Sequence, residues 1–279
     1  MRKSAIGLAV ISAALFALAS APAQAAGGTV KVTPLGSEAG EFCARDRALL
    51  FEDPNGTTIL FDAGLTVNGS ADTRVPADLD LVLLTHPHGD HLGAAFLSGG
   101  DCGNPAFAAP APNTTTADVV AGTGAKLFVG LGMQGFLQKK VVAAGGTASQ
   151  VDVLLYGGSR TIGGVKVAVV GTVHNNNLGA NFLSDATHAA ALAADGLSAY
   201  VGPTHGYILQ FTNGLKVYLS GDTGHTSDMK LIVRDFYKAN LAVLNIGNIF
   251  TMGPEEAAFA ANKLIKPKSV IASHANEEA

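Results

Sequence analysis

Hydrophobic residues recur along this chain in short runs closed off by Gly, Pro, Asn and Asp, a pattern that predicts strands bounded by turns. Residues 48–52 and 57–61 flank Asp53-Pro54-Asn55-Gly56 and read as a hairpin. Residues 81–85 are apolar until the last position and read as a short buried strand. Lys126–Val129, 151–156 and 165–170 are further strands, and 206–211 and 215–220 flank Thr212-Asn213-Gly214 as a second hairpin. The last third alternates differently. Residues 227–237 read as a helix and 241–246 as a buried strand. Pro254 then opens a helix to about residue 264, with Glu255 and Glu256 in its first turn, where the helix dipole favours them. Ser269–Ser273 is a last strand, and the Pro/Ala-rich stretch 104–113 reads as a loop. No solenoid repeat and no low-complexity linker interrupts this order, which predicts an α/β domain of two mixed sheets with helices packed outside.

The N-terminus stands apart. Arg2 and Lys3 precede an almost unbroken apolar run over 5–19, and Ala23-Gln24-Ala25 supplies the small residues that a signal peptidase reads. Residues 1–25 are therefore expected to be a secretory signal peptide cleaved after Ala25, leaving 26–279 as one domain in the periplasm or outside the cell. The run is shorter than the roughly 20 residues that span a bilayer, and no later stretch is longer, so no stable membrane insertion is expected after cleavage. Without Arg2 and Lys3 the chain has 16 basic residues against 22 acids, a net charge of about −6 rather than −4. With 48% hydrophobic and 14% charged residues, it fits neither a disordered chain nor a nucleic-acid binder. Cys43 and Cys102, exported to an oxidising compartment, are expected to form a disulfide, with two buried free thiols as the alternative.

The chemistry is concentrated after the strand at 81–85. Three of the eight histidines fall in Thr85-His86-Pro87-His88-Gly89-Asp90-His91-Leu92-Gly93. Imidazole and carboxylate are ligands that zinc and similar cations take. Four candidates within six residues are too many for one tetrahedral ion approached from one loop, so they are expected to divide between two.

This run resembles the HxHxDH signature of the metallo-β-lactamase superfamily, and the remaining elements of that pattern follow in order. Phe61-Asp62-Ala63-Gly64, Val173-His174-Asn175, Ser220-Gly221-Asp222-Thr223-Gly224 and Ala272-Ser273-His274 each close an expected strand. The resemblance covers nearly all of 26–279 and implies a four-layer αββα fold, two mixed β-sheets sandwiched by helices. It implies that His86, His88 and His174 hold one divalent metal, that Asp90, His91 and His274 hold a second, and that Asp222 bridges them. Asp90, Asp222 and His174 then count as catalytic as well as metal-binding. Asp62 is expected behind the ligands, accepting a hydrogen bond from one histidine. His205, just before a strand, is placed behind the ligands or in a structural role. His188 and His225 are expected at the surface, His225 with a structural role as the alternative.

A shared carboxylate and a shared hydroxide offset the repulsion of two close cations, and the hydroxide is the expected nucleophile. Zn2+ is the first expectation for both ions, with Mn2+ or Fe2+ also compatible. The position of Asp222 is Cys in the larger group of zinc β-lactamases, so an Asp there looks like the hydrolases of esters, lactones, thioesters and phosphodiesters. Residues 245–257 and 218–224 look like the branch that contains L-ascorbate-6-phosphate lactonase and uncharacterised metal-dependent hydrolases, often oligomeric, so a homo-oligomer is an expected assembly. The expected activity is hydrolysis of a small lactone or ester, including acyl-homoserine lactones given the exported address. A phosphodiesterase is the alternative, with a zinc β-lactamase behind it. A purely structural metal module is disfavoured by the Cys-free ligand set. The family pattern also implies more chain after the last ligand. The sequence, which ends five residues after His274, is expected to stop short, with Asn276-Glu277-Glu278 opening a helix. The stretch 175–203, beside the expected pocket mouth, is a candidate for substrate choice.

Overall fold

The structure is a computed structural model that describes residues 27–36, 47–101, 104–110 and 112–275. The expected signal segment, both cysteines and residues 276–279 lie outside the described residues.

In chain order the strands are Lys31–Pro34 (β1), Leu49–Glu52 (β2), Thr58–Phe61 (β3), Leu81–Leu83 (β4), Phe96–Asp101 (β5), Asn104–Ala108 (β6), Lys126–Val129 (β7), Val151–Val153 (β8), Ser159–Ile162 (β9), Val165–Gly171 (β10), Asn177–Leu178 (β11), Ala199–Tyr200 (β12), His205–Gln210 (β13), Lys216–Leu219 (β14), Leu241–Asn245 (β15) and Ser269–Ser273 (β16). Both expected hairpins form, β2 with β3 and β13 with β14, each antiparallel. They belong to separate six-stranded mixed sheets, ordered β1-β2-β3-β4-β7-β8 and β16-β15-β14-β13-β10-β9. β3, β4, β7 and β8 run parallel in the first sheet, and β14, β15 and β16 run parallel in the second.

The apolar runs are continuous because both faces of each sheet are covered. Leu49, Phe51, Ile59, Phe61, Leu81 and Leu83 of the first sheet meet Val165, Val167, Val169, Leu209, Val217 and Leu219 of the second in one core between the sheets. The alternate residues Leu50, Leu60 and Val82 point outward. There they pack under Thr115–Thr123 and Leu131–Ala143, whose Val119, Val120, Met133 and Leu137 close the outer core. On the far side Ala168, Val170, Ile208 and Tyr218 pack under Met229–Tyr237 and under Pro254–Phe259, which continues as Ala260–Ile265. The layers are helix, sheet, sheet, helix, as the resemblance implied.

Two local differences have physical causes. The stretch 104–113 is not all loop. Asn104–Ala108 pairs antiparallel with Phe96–Asp101 in a ribbon separate from both main sheets. An outer strand bonds on one side only, so Pro105, opposite Gly100, is tolerated where a central strand would lose a ladder bond. The helices Thr115–Thr123 and Leu131–Ala143 are weakly marked because glycines interrupt them. A Cβ at Gly122 would stand 2.2 Å from Ser70 Cβ, and one at Gly132 would stand 2.3 Å from the Val201 carbonyl oxygen, so close packing outranks helix propensity there.

One buried bond ties the sheets together beside the histidine loop. The fully buried Tyr207 on β13 donates its Oη hydrogen to the Leu84 carbonyl at 2.6 Å. Tyr207→Phe keeps the packing and strands that acceptor. It is expected to lower unfolding stability by about 1–3 kcal/mol, read as a shift in urea midpoint; an unchanged midpoint would contradict the assigned role.

Candidate metal centre

Asp62 follows β3 and is fully buried with φ +40°, a left-handed conformation that short polar Asp tolerates better than most residues. Its backbone N–H still bonds the Leu83 carbonyl across the strand pair at 2.9 Å. Three donors satisfy the carboxylate: Thr85 N–H at 2.9 Å, the Thr85 hydroxyl at 2.8 Å and His91 Nδ1 at 2.7 Å. An ionised carboxylate only accepts, so His91 carries a proton on Nδ1 and turns Nε2 away. The Thr85 hydrogen is committed to Asp62, so at 3.0 Å from His86 Nδ1 that hydroxyl can only accept. His86 is thereby also fixed with Nδ1 protonated and Nε2 bare. A single buried carboxylate sets the tautomer of two histidines.

The bare nitrogens converge. His86 Nε2 lies 3.0 Å from His88 Nδ1, which lies 3.3 Å from His174 Nε2. Burial, with repulsion from the neighbouring rings, lowers the pKa of all three, so this group is neutral. Beside it, one ligand atom from each of Asp90, His91, Asp222 and His274 falls within 4.8 Å of the others. Asp222 Oδ2 stands 3.3 Å from His91 Nε2 and 3.2 Å from His274 Nε2, and 3.8 Å from both His86 Nε2 and His174 Nε2. It is the atom common to both groups. Burial works to raise the Asp222 and Asp90 pKa values, but His91 and the other cationic neighbours hold both far below the usual carboxylate range. Burial would likewise lower His91 and His274, yet the two aspartates outweigh it and raise both.

The four residues of the second group lie on three separate elements. Asp90 and His91 sit on the short helix Gly89–Leu92, stopped by Gly93 at φ +82°. Asp222 sits in the turn after β14, and His274 follows β16. Gly221 has φ +57°, and a Cβ there would press to 2.7 Å from Thr85 Cγ2, so the Asp222 turn lies directly on the histidine loop. The buried Asn245 holds that turn, accepting from Ser220 Oγ at 3.1 Å and donating to the Thr223 carbonyl at 3.0 Å.

All seven expected ligands come together, and Asp62 stands behind them as expected. His205 takes the structural one of its two expected roles. Its ring packs edge-on to Tyr156 and Tyr207, with centroids at 5.4 and 6.0 Å, over Gly130, while its backbone N–H bonds the Thr85 carbonyl at 3.0 Å. It supports the histidine loop through its main chain. His188 and His225 are exposed. No motif marks Arg47, whose side chain is 1% exposed and reaches Asp90 Oδ2 through Nε at 3.0 Å and Nη2 at 2.9 Å. The site opens into a cleft of about 760 Å3 whose walls include Arg47, Leu65, Val173, Asn175, Ile249 and Phe250.

The donor set fits a metal ion. One buried and one partly exposed carboxylate lie among five imidazoles, and His91 Nε2 is buried with no hydrogen-bond partner among the described residues, a polar atom that a cation would satisfy. Comparison with known proteins agrees. A family profile described as Beta-lactamase superfamily domain matches residues 57–275. The chain belongs to the beta-lactamase superfamily. It is 32% identical over 284 residues to a UPF0173 metal-dependent hydrolase of Cupriavidus necator, covering 98% of this chain and 86% of that one. Among solved structures it shares the fold of Igni18, a metallo hydrolase from Ignicoccus hospitalis (TM-score 0.59, 22% identity, 90% of this chain and 84% of that one). It shares it also with the metallo-beta-lactamase fold protein YhfI from Bacillus subtilis (TM-score 0.58, 16% identity, 88% and 87%). The protein is a metal-dependent hydrolase of this superfamily.

Asp62→Asn preserves size but removes the acceptor that fixes His91 and, through Thr85, His86. Metal affinity by isothermal titration is expected to fall about 10–100-fold; wild-type affinity would contradict the relay. A second expectation concerns His205, whose pKa burial pushes from 6.5 down to about 4. The unfolded chain takes up that proton first as pH falls. The stability contribution is therefore complete above about 6.5 and is lost between 6.5 and about 4. Urea midpoints should fall over that window, less steeply in His205→Gln; identical slopes would remove His205 from the account.

Proposed function

We propose that the cluster holds two divalent metal ions and that the protein hydrolyses a small lactone or ester. His86, His88 and His174 would hold the first ion, Asp90, His91 and His274 the second, with Asp222 shared. The observation that carries this reading is the position of Asp222 Oδ2, within 3.8 Å of a ring nitrogen from His86, His91, His174 and His274. Zn2+ suits a histidine and carboxylate set, and Mn2+ or Fe2+ is compatible with it. When bound, such ions lower the pKa of water towards about 7 and polarise a carbonyl oxygen.

The residues of the chain have separate tasks. Asp62 and Thr85 keep the Nε2 atoms of His86 and His91 aimed inward. Arg47 holds Asp90 through one oxygen, leaving its second carboxylate oxygen uncommitted to the guanidinium. Asp90 and Asp222 stay ionised at neutral pH, so they accept hydrogen bonds and do not supply protons. Asp222, central to the cluster, would hold the two ions at a fixed separation and offset their repulsion.

The cleft walls favour a substrate with apolar surface. Arg47 is the one lysine or arginine in its lining among the described residues, and its Nε and Nη2 are turned onto Asp90, so charge on a substrate would be met by the metal ions rather than by the walls. Leu65, Val173, Ile249 and Phe250 add apolar surface beside the ligands. The N-terminal segment 1–25 supports a periplasmic or secreted address, where acyl-homoserine lactones are one member of the class.

The metal-loaded protein should be assayed on acyl-homoserine lactones, aryl esters, bis-p-nitrophenyl phosphate and nitrocefin. Turnover of lactones or esters is expected, and His88→Ala and Asp222→Ala should each reduce it by more than about a hundredfold. Turnover of nitrocefin alone would overturn the substrate class, and full activity in either variant would overturn the site.

A further inference from the structure

Single exposed apolar side chains are ordinary, but a group of them at a catalytic cleft is not. Val173, Ile249 and Phe250 are 67%, 68% and 62% exposed. All three line the cleft that contains His174, Asp222 and His274. They come from two separate parts of the chain: Val173 precedes His174 after β10, and Ile249 and Phe250 form the tip of the turn after β15.

That turn is held in an unfavourable conformation. Asn248 has φ +57° and Ile249 φ +20°, and a β-branched residue in that region is strained. Four hydrogen bonds keep it so. Thr251 N–H bonds the Asn248 carbonyl at 2.7 Å, Gly247 N–H bonds Thr251 Oγ1 at 3.1 Å, and Asn248 N–H bonds the Met252 carbonyl at 3.2 Å. Met252 N–H bonds the Thr223 carbonyl at 3.3 Å, next to Asp222. Met252 itself is 2% exposed and anchors the turn in the outer core. The strain therefore does not serve burial of Ile249 or Phe250. It places two large apolar side chains in solvent at a fixed position beside the metal ligands.

We propose that Ile249 and Phe250, facing the cleft with Val173, form the wall of a subsite for an extended hydrocarbon arm of the substrate. The inference rests on the hydrolase reading above and narrows it: the preferred lactones or esters carry a long acyl or alkyl arm, and the bare ring or acetyl ester is a poor substrate. The arm leaves water as the wall does, so each added methylene contributes to kcat/KM until the wall is covered.

The test is a homologous series of p-nitrophenyl esters from acetate to octanoate and of γ-alkyl γ-lactones, assayed on the metal-loaded full chain. For the wild type, kcat/KM is expected to rise about twofold to fourfold per methylene, mostly through KM. Phe250→Ala and Val173→Ser, on separate segments, should each flatten that slope, while Phe236→Ala, at 70% exposure on the outer helix Met229–Tyr237 and absent from the cleft lining, should not. A flat wild-type slope, or slopes unchanged in both wall variants, would overturn the subsite while leaving the hydrolase reading intact. No turnover of any ester or lactone, with turnover of bis-p-nitrophenyl phosphate, would overturn both. If sedimentation shows the wild type as a dimer and Phe250→Ala as a monomer with the slope unchanged, the patch belongs to a second copy and the proposal fails.

Discussion

Asp62 has no exposed surface, so its negative charge has to be satisfied entirely by neighbouring protein groups. Thr85 supplies two donors and His91 the third. The rest of the centre depends on that arrangement. It pulls the end of β4 against the end of β3, fixes which nitrogen of His86 and His91 faces the cluster, and does so without any of these groups reaching solvent. The backbone strain at Asp62 is stored where the carboxylate must turn back under the loop.

The charge pattern in front of Asp62 follows from the same economy of space. Three imidazoles with few countercharges stay neutral, whereas the two carboxylates, crowded by His91 and His274, draw protons onto those rings. Arg47 adds a fixed positive charge on the far side of Asp90 and holds it at the cleft wall. A cation entering the second group would take the place of the protons that the aspartates otherwise recruit, so binding is expected to be coupled to proton release.

The ligands were legible in the sequence because each follows an apolar run that ends abruptly in a titratable residue, and the two-sheet order was legible because the runs are bounded by turn chemistry. Strand ends were less so. β4 stops at Leu83 rather than Thr85 because Tyr207 takes the Leu84 carbonyl and Asp62 takes Thr85, tertiary partners that no local pattern announces. The helices around Gly122 and Gly132 were hidden because close packing demanded residues that weaken a helix. Arg47 carried no motif, since its partner Asp90 lies 43 positions away. For His205 the sequence left two places open, behind the ligands or structural, and tertiary contacts decide between them: its ring packs into an aromatic corner and its backbone N–H bonds the histidine loop.

The central claim is that Asp222 is shared by two cation sites, and diffraction from crystals grown with zinc and measured at the zinc absorption edge tests it most directly. The account predicts two anomalous peaks per chain, one among His86, His88 and His174 and one among Asp90, His91 and His274, with the Asp222 carboxylate between them. A single peak, or two peaks of which Asp222 touches only one, would contradict it.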